Sequence, residues 1–256
     1  MIDAHAVVSP QAHIAEGVHV GPFSVIGADV EIGSGTWVGP HVVINGPTRI
    51  GSGNKFFQFC SIGEDPQDKK YRGESTRLEI GDRNVFRESC TVNRGTIQDQ
   101  GVTRIGNENL MMAYTHVAHD CVLGDKIVMA NCATLGGHVH IGDWAILGGL
   151  SAVHQFSRIG AHSFIANNAA ATRDVPPYVV AVGQPAEPHS VNSEGLKRRG
   201  FTEAEIRNIK QAYRLLYRSG LKLKDALLQL EDFAAGKPEL AIFIEFIKSS
   251  SRSIVR

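Results

Sequence analysis

Nearly every sixth residue in the first two-thirds of the chain is a branched or large apolar one. The series runs Ile2, Val8, Ile14, Val20, Ile26, Ile32, Val38, Ile44, Ile50, Phe56, Ile62, and resumes in phase at Ile80, Phe86 and Val92. After a one-residue change of phase it continues from Ile105 through Met111, Val117, Leu123, Met129, Leu135, Ile141, Leu147, Val153 and Ile159 to Ile165. Glycine often follows the apolar residue, as at Gly21, Gly33, Gly51, Gly106 and Gly142. The fifth place is usually small or β-branched: Ser24, Thr36, Cys90, Thr115, Ala133, Ser163. A period of six fits neither a 3.6-residue helix nor an alternating strand, and marks a hexapeptide β-helix.

One unit is a short strand and a tight turn, and cannot bury its apolar residue alone, so successive coils must stack. Three units make a triangular coil of about 18 residues, with rungs about 4.8 Å apart. The first and fifth places point inward, and the glycine or asparagine near each corner is expected to supply backbone shapes that β-branched residues resist. The expected fold is mainly β, a parallel β-helix over residues 1–186 followed by an α-helical unit over 187–256. Two segments, 64–79 and 98–104, break the repeat; the second changes its phase and the first, dense in charge, does not. Insertions in a solenoid bulge from one side, often the binding side.

The formal charge is zero, but residues 187–256 hold 13 Lys/Arg against 9 Asp/Glu, which suits an anionic ligand or an acidic partner. Cys60, Cys90, Cys121 and Cys132 fall at fourth or fifth places and show no metal-binding spacing, so they read as small core residues in a reducing compartment. No signal-like segment and no 18-residue apolar run is present, so a cytoplasmic protein without a membrane span is expected. Beyond Pro188 the period becomes helical. Thr202 and Glu205 predict a capping box for a helix with Ile206, Ile209, Tyr213, Leu216 and Tyr217 inward and Gly220 at its end. A second helix is expected over 222–235 and a third after Pro238.

Histidines concentrate between His116 and His162. Units beginning at Val117, Leu135 and Val153 are one coil apart, which sets His119 in register with Gly137 and Gln155, with His138 one residue past that column and His154 one before it. Clustered imidazoles beside a glycine suit acyl transfer: one removes a proton from an attacking hydroxyl, and an exposed N–H stabilises the oxyanion. Asp120 could hold the His119 tautomer, provided the chain turns between them. A zinc site built from histidines is the rival reading; no metal is expected.

The segments His116-Val117-Ala118-His119-Asp120, Gly136-Gly137-His138, His154-Gln155-Phe156, Asp174-Val175-Pro176-Pro177-Tyr178 and Asn192-Ser193-Glu194-Gly195-Leu196-Lys197-Arg198-Arg199-Gly200-Phe201 together resemble the acyl-carrier-protein-dependent UDP-N-acetylglucosamine O-acyltransferases. The resemblance spans essentially the whole chain. It implies a left-handed coil, a homotrimer with sites between subunits, and transfer of an (R)-3-hydroxyacyl chain from acyl carrier protein to the 3-hydroxyl of UDP-N-acetylglucosamine, the first step of lipid A synthesis. It implies no bound cofactor, since the donor rides on the carrier's phosphopantetheine, and no nucleic-acid partner. By the same resemblance His119 is the general base, Asp120 its orienting partner and Gly137 the oxyanion donor. Gln67, Asp68, Lys70, His116, His138, His154 and Gln155 would hold the glucosamine and acyl groups, and Asn192, Glu194, Arg198 and Arg199 the nucleotide. Asn93 stands where relatives often carry histidine, and Asn167 at the far end of the acyl groove where they vary. Two other readings stand beside it: a related hexapeptide acyltransferase using an amine acceptor or acetyl-CoA, and a trimeric scaffold that only binds.

Overall fold

The structure, a computed structural model, describes residues 1–256. Strands mostly two residues long form three parallel sheets of nine, eight and ten strands, and the chain visits them in strict rotation. Face I starts at Val7–Val8, face II at His13–Ile14 and face III at His19–Val20. Register advances by one coil per rung: Val7 pairs with Val25, and Val25 with Val43. Across the first interruption Ser61 pairs with Thr91, two whole hexads further on than a regular coil. Across the second, Thr91 pairs with His116, one hexad and one residue further on. That difference explains why only the second interruption shifts the phase. Both are narrower than the sequence suggests: Arg77–Ile80 and Val102–Ile105 are strands, because buried Leu78 and Val102 keep their places in the stack.

Apolar first-place residues fill the interior, with Ile44, Phe56, Ile62, Phe86, Met111, Leu135 and Ile165 fully enclosed. Fifth places are buried as expected, including Cys60, Cys90 and Cys121, whereas Cys132, at a fourth place on a corner, is only half-buried. The corners correct one expectation. Left-handed backbone falls on the fourth places, which are glycine at Gly17, Gly35 and Gly53 as expected but mostly large elsewhere, as at Phe59 (φ 66°), Tyr114 (φ 63°) and Phe156 (φ 64°); apart from Gly63 at the first interruption, it does not fall on the glycines that follow the apolar residue. Those glycines instead permit close approach of rungs: a Cβ on Gly33 would sit 2.6 Å from the Gly51 carbonyl carbon.

Inside one corner runs a buried asparagine ladder. Asn84 donates through its amide to Asn54 Oδ1 and to Gly106 O, and its own Oδ1 accepts from the Asn109 N–H (2.9 Å). Asn109 continues the chain to Gly124 O and the Ile127 N–H. Each side chain satisfies backbone groups that the turn would otherwise strand in an apolar interior.

The coil closes with Val179–Val182, parallel to Phe164–Ile165 and antiparallel to Glu187–Val191, so residues just past Pro188 extend face III before any helix begins. Then come α1 (Ser193–Arg198), α2 (Glu203–Tyr217), α3 (Leu223–Phe233), a 3₁₀ turn at Pro238–Leu240 and α4 (Ala241–Ser249). The Thr202–Glu205 capping box is present, and α2 ends at Tyr217, short of Gly220. Helices and coil share one apolar core, and the tail returns to the coil where Ile254 bridges Asp174. At the junction, rings of Trp144, His162 and Tyr178 stack along the corner between faces II and III, with Phe201 edge-on to His162 at 5.2 Å. Burial, helped by the nearby Arg199 charge, pushes His162 down from 6.5 to about 4.

Two predictions follow from this packing. Asn84→Ala strands the Asn109 N–H and the Gly106 carbonyl, and should cost about 2–4 kcal/mol by urea unfolding, more than an exposed Asn→Ala control. His162 is neutral in the fold, so its contribution is complete above pH 6.5 and is lost as pH falls from 6.5 through about 4, where the unfolded chain takes the proton first. The melting temperature of His162→Phe should therefore fall less than the parent's over that window; parallel curves would contradict the assignment.

Candidate active site

Both interruptions, residues 65–76 and 94–101, leave the coil at one edge, between faces I and II. The turns at His119–Asp120, Gly137–His138 and Gln155–Phe156 occupy the same edge one rung apart. Everything chemical on this edge is brought together by stacking, not by nearness in sequence.

His119 and Asp120 meet because Asp120 adopts left-handed backbone (φ 58°), which folds its side chain back beside its neighbour's. Asp120 Oδ2 lies 2.8 Å from His119 Nδ1. An ionised carboxylate only accepts, so Nδ1 carries the proton and Nε2 is left as the basic nitrogen. Asp120 is buried and held on three further sides. Its Oδ1 accepts from the Thr96 N–H (2.8 Å), its Oδ2 from the Thr96 hydroxyl (2.6 Å), and its own N–H donates to Thr103 Oγ1 (2.8 Å). Burial alone would raise the Asp120 carboxyl, but the hydrogen bonds from His119 and Thr96 outweigh it and leave it below 3.8. It is an anion at neutral pH.

His138 stands edge-on to His119, ring centres 5.0 Å apart, and stacks on Phe156 at 4.3 Å. Its Nδ1 lies 3.0 Å from Asp99 Oδ2. The Gly137 backbone packs directly beneath the His119 ring: a Cβ there would come within 2.5 Å of the ring. The Gly137 N–H takes no partner within the chain. The His119 side chain remains 13% exposed, so the edge opens to solvent. His116 lies one strand back on face I, its Nδ1 2.7 Å from Thr91 Oγ1. Burial and the neighbouring His119 depress its basicity.

His119, Asp120 and His138 offer three ligand atoms within 4.8 Å of one another. Asp120 already accepts from His119 and twice from Thr96, and both imidazoles point Nδ1 at carboxylates. A cation held by these atoms would displace those bonds, so the donor set suits a proton relay better than an ion.

The remaining expected residues lie at several places. Gln67, Asp68 and Lys70 sit on the first interruption, where Asp68 Oδ1 accepts from the Lys70 N–H and buried Arg94 ties the segment down through Gly63 O, Asp65 and Tyr71. Asn93 Nδ2 donates to Asp65 O, a contact that anchors the first interruption. His154 and Gln155 are exposed on the histidine edge, where Arg252 from the tail donates to Gln155 O (2.7 Å). Asn167 lies on the edge between faces III and I, its Oδ1 accepting from the Gly149 N–H (3.0 Å). Asn192 caps α1 and donates to His162 O. Glu194 pairs with Lys197 and Arg198 is exposed. Arg199 lies over the Trp144 ring at 5.2 Å, with Nη1 3.1 Å from His162 Nδ1. In one chain, then, the candidate set occupies all three edges. Sequence reading missed Thr96, Thr103 and Asp99; the phase shift at 98–104 was their only trace.

Comparison with known proteins gives this arrangement a family. A family model described as UDP N-acetylglucosamine O-acyltransferase, domain 2, matches residues 174–255. The acyl-carrier-protein–UDP-N-acetylglucosamine O-acyltransferase of Thiobacillus denitrificans is 57% identical over 98% of this chain and 97% of its own length. The UDP-N-acetylglucosamine O-acyltransferase structure from Moraxella catarrhalis superposes with a TM-score of 0.98 at 45% identity, covering 100% of this chain and 99% of that one. The acyltransferase structure from Francisella novicida gives 0.98 at 44%, covering 100% and 94%. The coil is the left-handed one of these structures. With identity of this extent running through both coil and helices, the chain belongs to the UDP-N-acetylglucosamine O-acyltransferase family.

Proposed function

We propose that this chain transfers an (R)-3-hydroxyacyl group from acyl carrier protein to the 3-hydroxyl of UDP-N-acetylglucosamine, the first step of lipid A synthesis. The observation that carries the mechanism is the His119–Asp120 pair set over the free N–H of Gly137. His119 Nε2 takes the proton as the sugar hydroxyl attacks the thioester carbonyl. Asp120, fixed as an anion by Thr96, stabilises the imidazolium that forms. The Gly137 N–H donates to the tetrahedral oxyanion. The C–S bond then breaks, the ester forms, and the proton returns from His119 to the departing pantetheine thiolate. His116, kept neutral by burial, His138, His154, Gln155 and the segment bearing Gln67, Asp68 and Lys70 surround the point of attack and suit binding of the sugar and acyl groups.

The reading includes a homotrimer, which two observations support. Asn167, His119 and Arg199 lie on three different edges of one coil, so a site using all of them needs neighbouring copies. The edge between faces III and I also exposes Phe23, Phe59, Tyr114 and Leu150 in one row, and face I beside it presents Val7, Val25 and Val43. An apolar strip of that length on a water-exposed coil suits contact with a second copy. No helix is long and apolar enough to cross a membrane; a cytoplasmic location is part of the proposal.

His119→Ala should lower turnover with hydroxyacyl-carrier donor and UDP-N-acetylglucosamine by about 10²–10⁴-fold, the range for a positioned base, with its melting temperature retained. Undiminished turnover would remove His119 from the mechanism, and absence of turnover in the parent itself would favour a scaffold. Asn167, by closing the end of the acyl groove, should shorten the preferred chain. Asn167→Gly should then shift the ratio of kcat/KM values toward longer donors by about four- to fifteenfold, as one to two methylenes of newly admitted chain would give; an unchanged ratio would discount the idea.

A further inference from the structure

A second concentration of chemistry lies away from the histidine edge, on the helical cap. A groove runs between strand Glu187–Val191, the last strand of face III, and α2. One wall carries His189, Ser190 and Ser193; the other carries Lys210, Arg214 and Arg218, spaced four apart on one side of α2. Like charges at that spacing oppose one another and destabilise a helix unless something neutralises them. No carboxylate in the chain does, and only the C-terminal end of the α2 dipole favours Arg214 and Arg218. Neighbouring cations are paired, Lys197 with Glu194 and Arg207 with Glu203, whereas Lys210, Arg214 and Arg218 enter no ion pair and donate no side-chain hydrogen bond. Between them lies Tyr213, a residue of the groove lining that is only 7% exposed; its buried hydroxyl makes no well-formed hydrogen bond and lies beside the Arg218 guanidinium. A stranded hydroxyl costs stability that phenylalanine would not. Three unpaired cations and one buried hydroxyl without a well-formed bond, on a single groove, are the donor set of an anion site, and two arginines in one row suit the several oxygens of a phosphate.

We infer that this groove binds a phosphoester, through Lys210, Arg214, Arg218 and the Tyr213 hydroxyl. Its source, the donor's prosthetic arm or the acceptor's diphosphate, rests on the acyltransferase reading; the site itself does not.

Calorimetric titration of the full-length protein tests it with two matched pairs, 4′-phosphopantetheine against pantetheine and UDP against uridine. In one pair the phosphorylated member should bind about tenfold or more tightly, and Arg214→Gln/Arg218→Gln should abolish that preference, as loss of charge-assisted hydrogen bonds requires. Tyr213→Phe should weaken the same ligand by about three- to tenfold while melting at the parent's temperature or above, because it removes an unsatisfied buried group. A purely structural tyrosine would leave binding untouched. Preference in the first pair assigns the groove to the donor, and in the second to the nucleotide. Equal affinities within both pairs, or a double variant that keeps the preference, overturns the inference. Because binding is read without turnover, an inactive protein that keeps its phosphate preference would count against the acyltransferase mechanism alone, and an active one lacking it would count against the groove alone.

Discussion

Stacking of one rung on the next in fixed register is the constraint on which the rest of the molecule depends. No strand here is long enough to hold together by itself, and most are two residues. Each gains its hydrogen bonds from the rungs before and after, and its apolar residue is enclosed only because the same place on neighbouring rungs is apolar too. Second-place glycines keep the rungs close enough at the corners for this to work. A side chain's position is therefore set by its phase in the hexad and its rung, and functional groups can be laid down a column at chosen height.

The histidine edge uses that rule and then departs from it. Regular stacking supplies His119, Gly137 and His138, but a regular coil has nothing to hold the Asp120 carboxylate. The second interruption does that, returning Thr96 to both oxygens of Asp120 and Asp99 to His138. Thr103, at the start of the next strand, fixes the Asp120 backbone. The left-handed turn at Asp120 would be strained in isolation, yet it recurs at most fourth places, so the fold imposes it on Asp120 as it does on Phe156 and Trp144. The catalytic pair thus exploits a backbone shape that the coil makes anyway.

Much of this was legible beforehand. The period, the 18-residue coil and the stacking of His119 over Gly137 follow from sequence spacing, since a solenoid converts sequence distance into spatial distance by simple division. Helix α2 was readable from its cap and its apolar spacing. The corners were read only in part: Gly17, Gly35 and Gly53 do supply left-handed backbone, but most corners impose it on larger residues, and the glycines after the apolar residue are called for by rung spacing. Strand Glu187–Val191 was missed because a proline and a histidine in five residues give no strand pattern; it forms because Val179–Val182 offers it an edge to pair with. Thr96 and Asp99 could not be assigned, since an interruption has no phase from which to compute where its side chains return.

The sequence alone determined the architecture and the column in which the imidazoles stand, because both are consequences of a repeat that each unit restates. Only the tertiary structure decided which hydrogen bonds hold Asp120, which edges carry the other candidate residues, and that three cations without an ion pair line one groove of the helical cap beside a buried tyrosine. Those features depend on segments that break the repeat, and for them position comes from contact and not from counting.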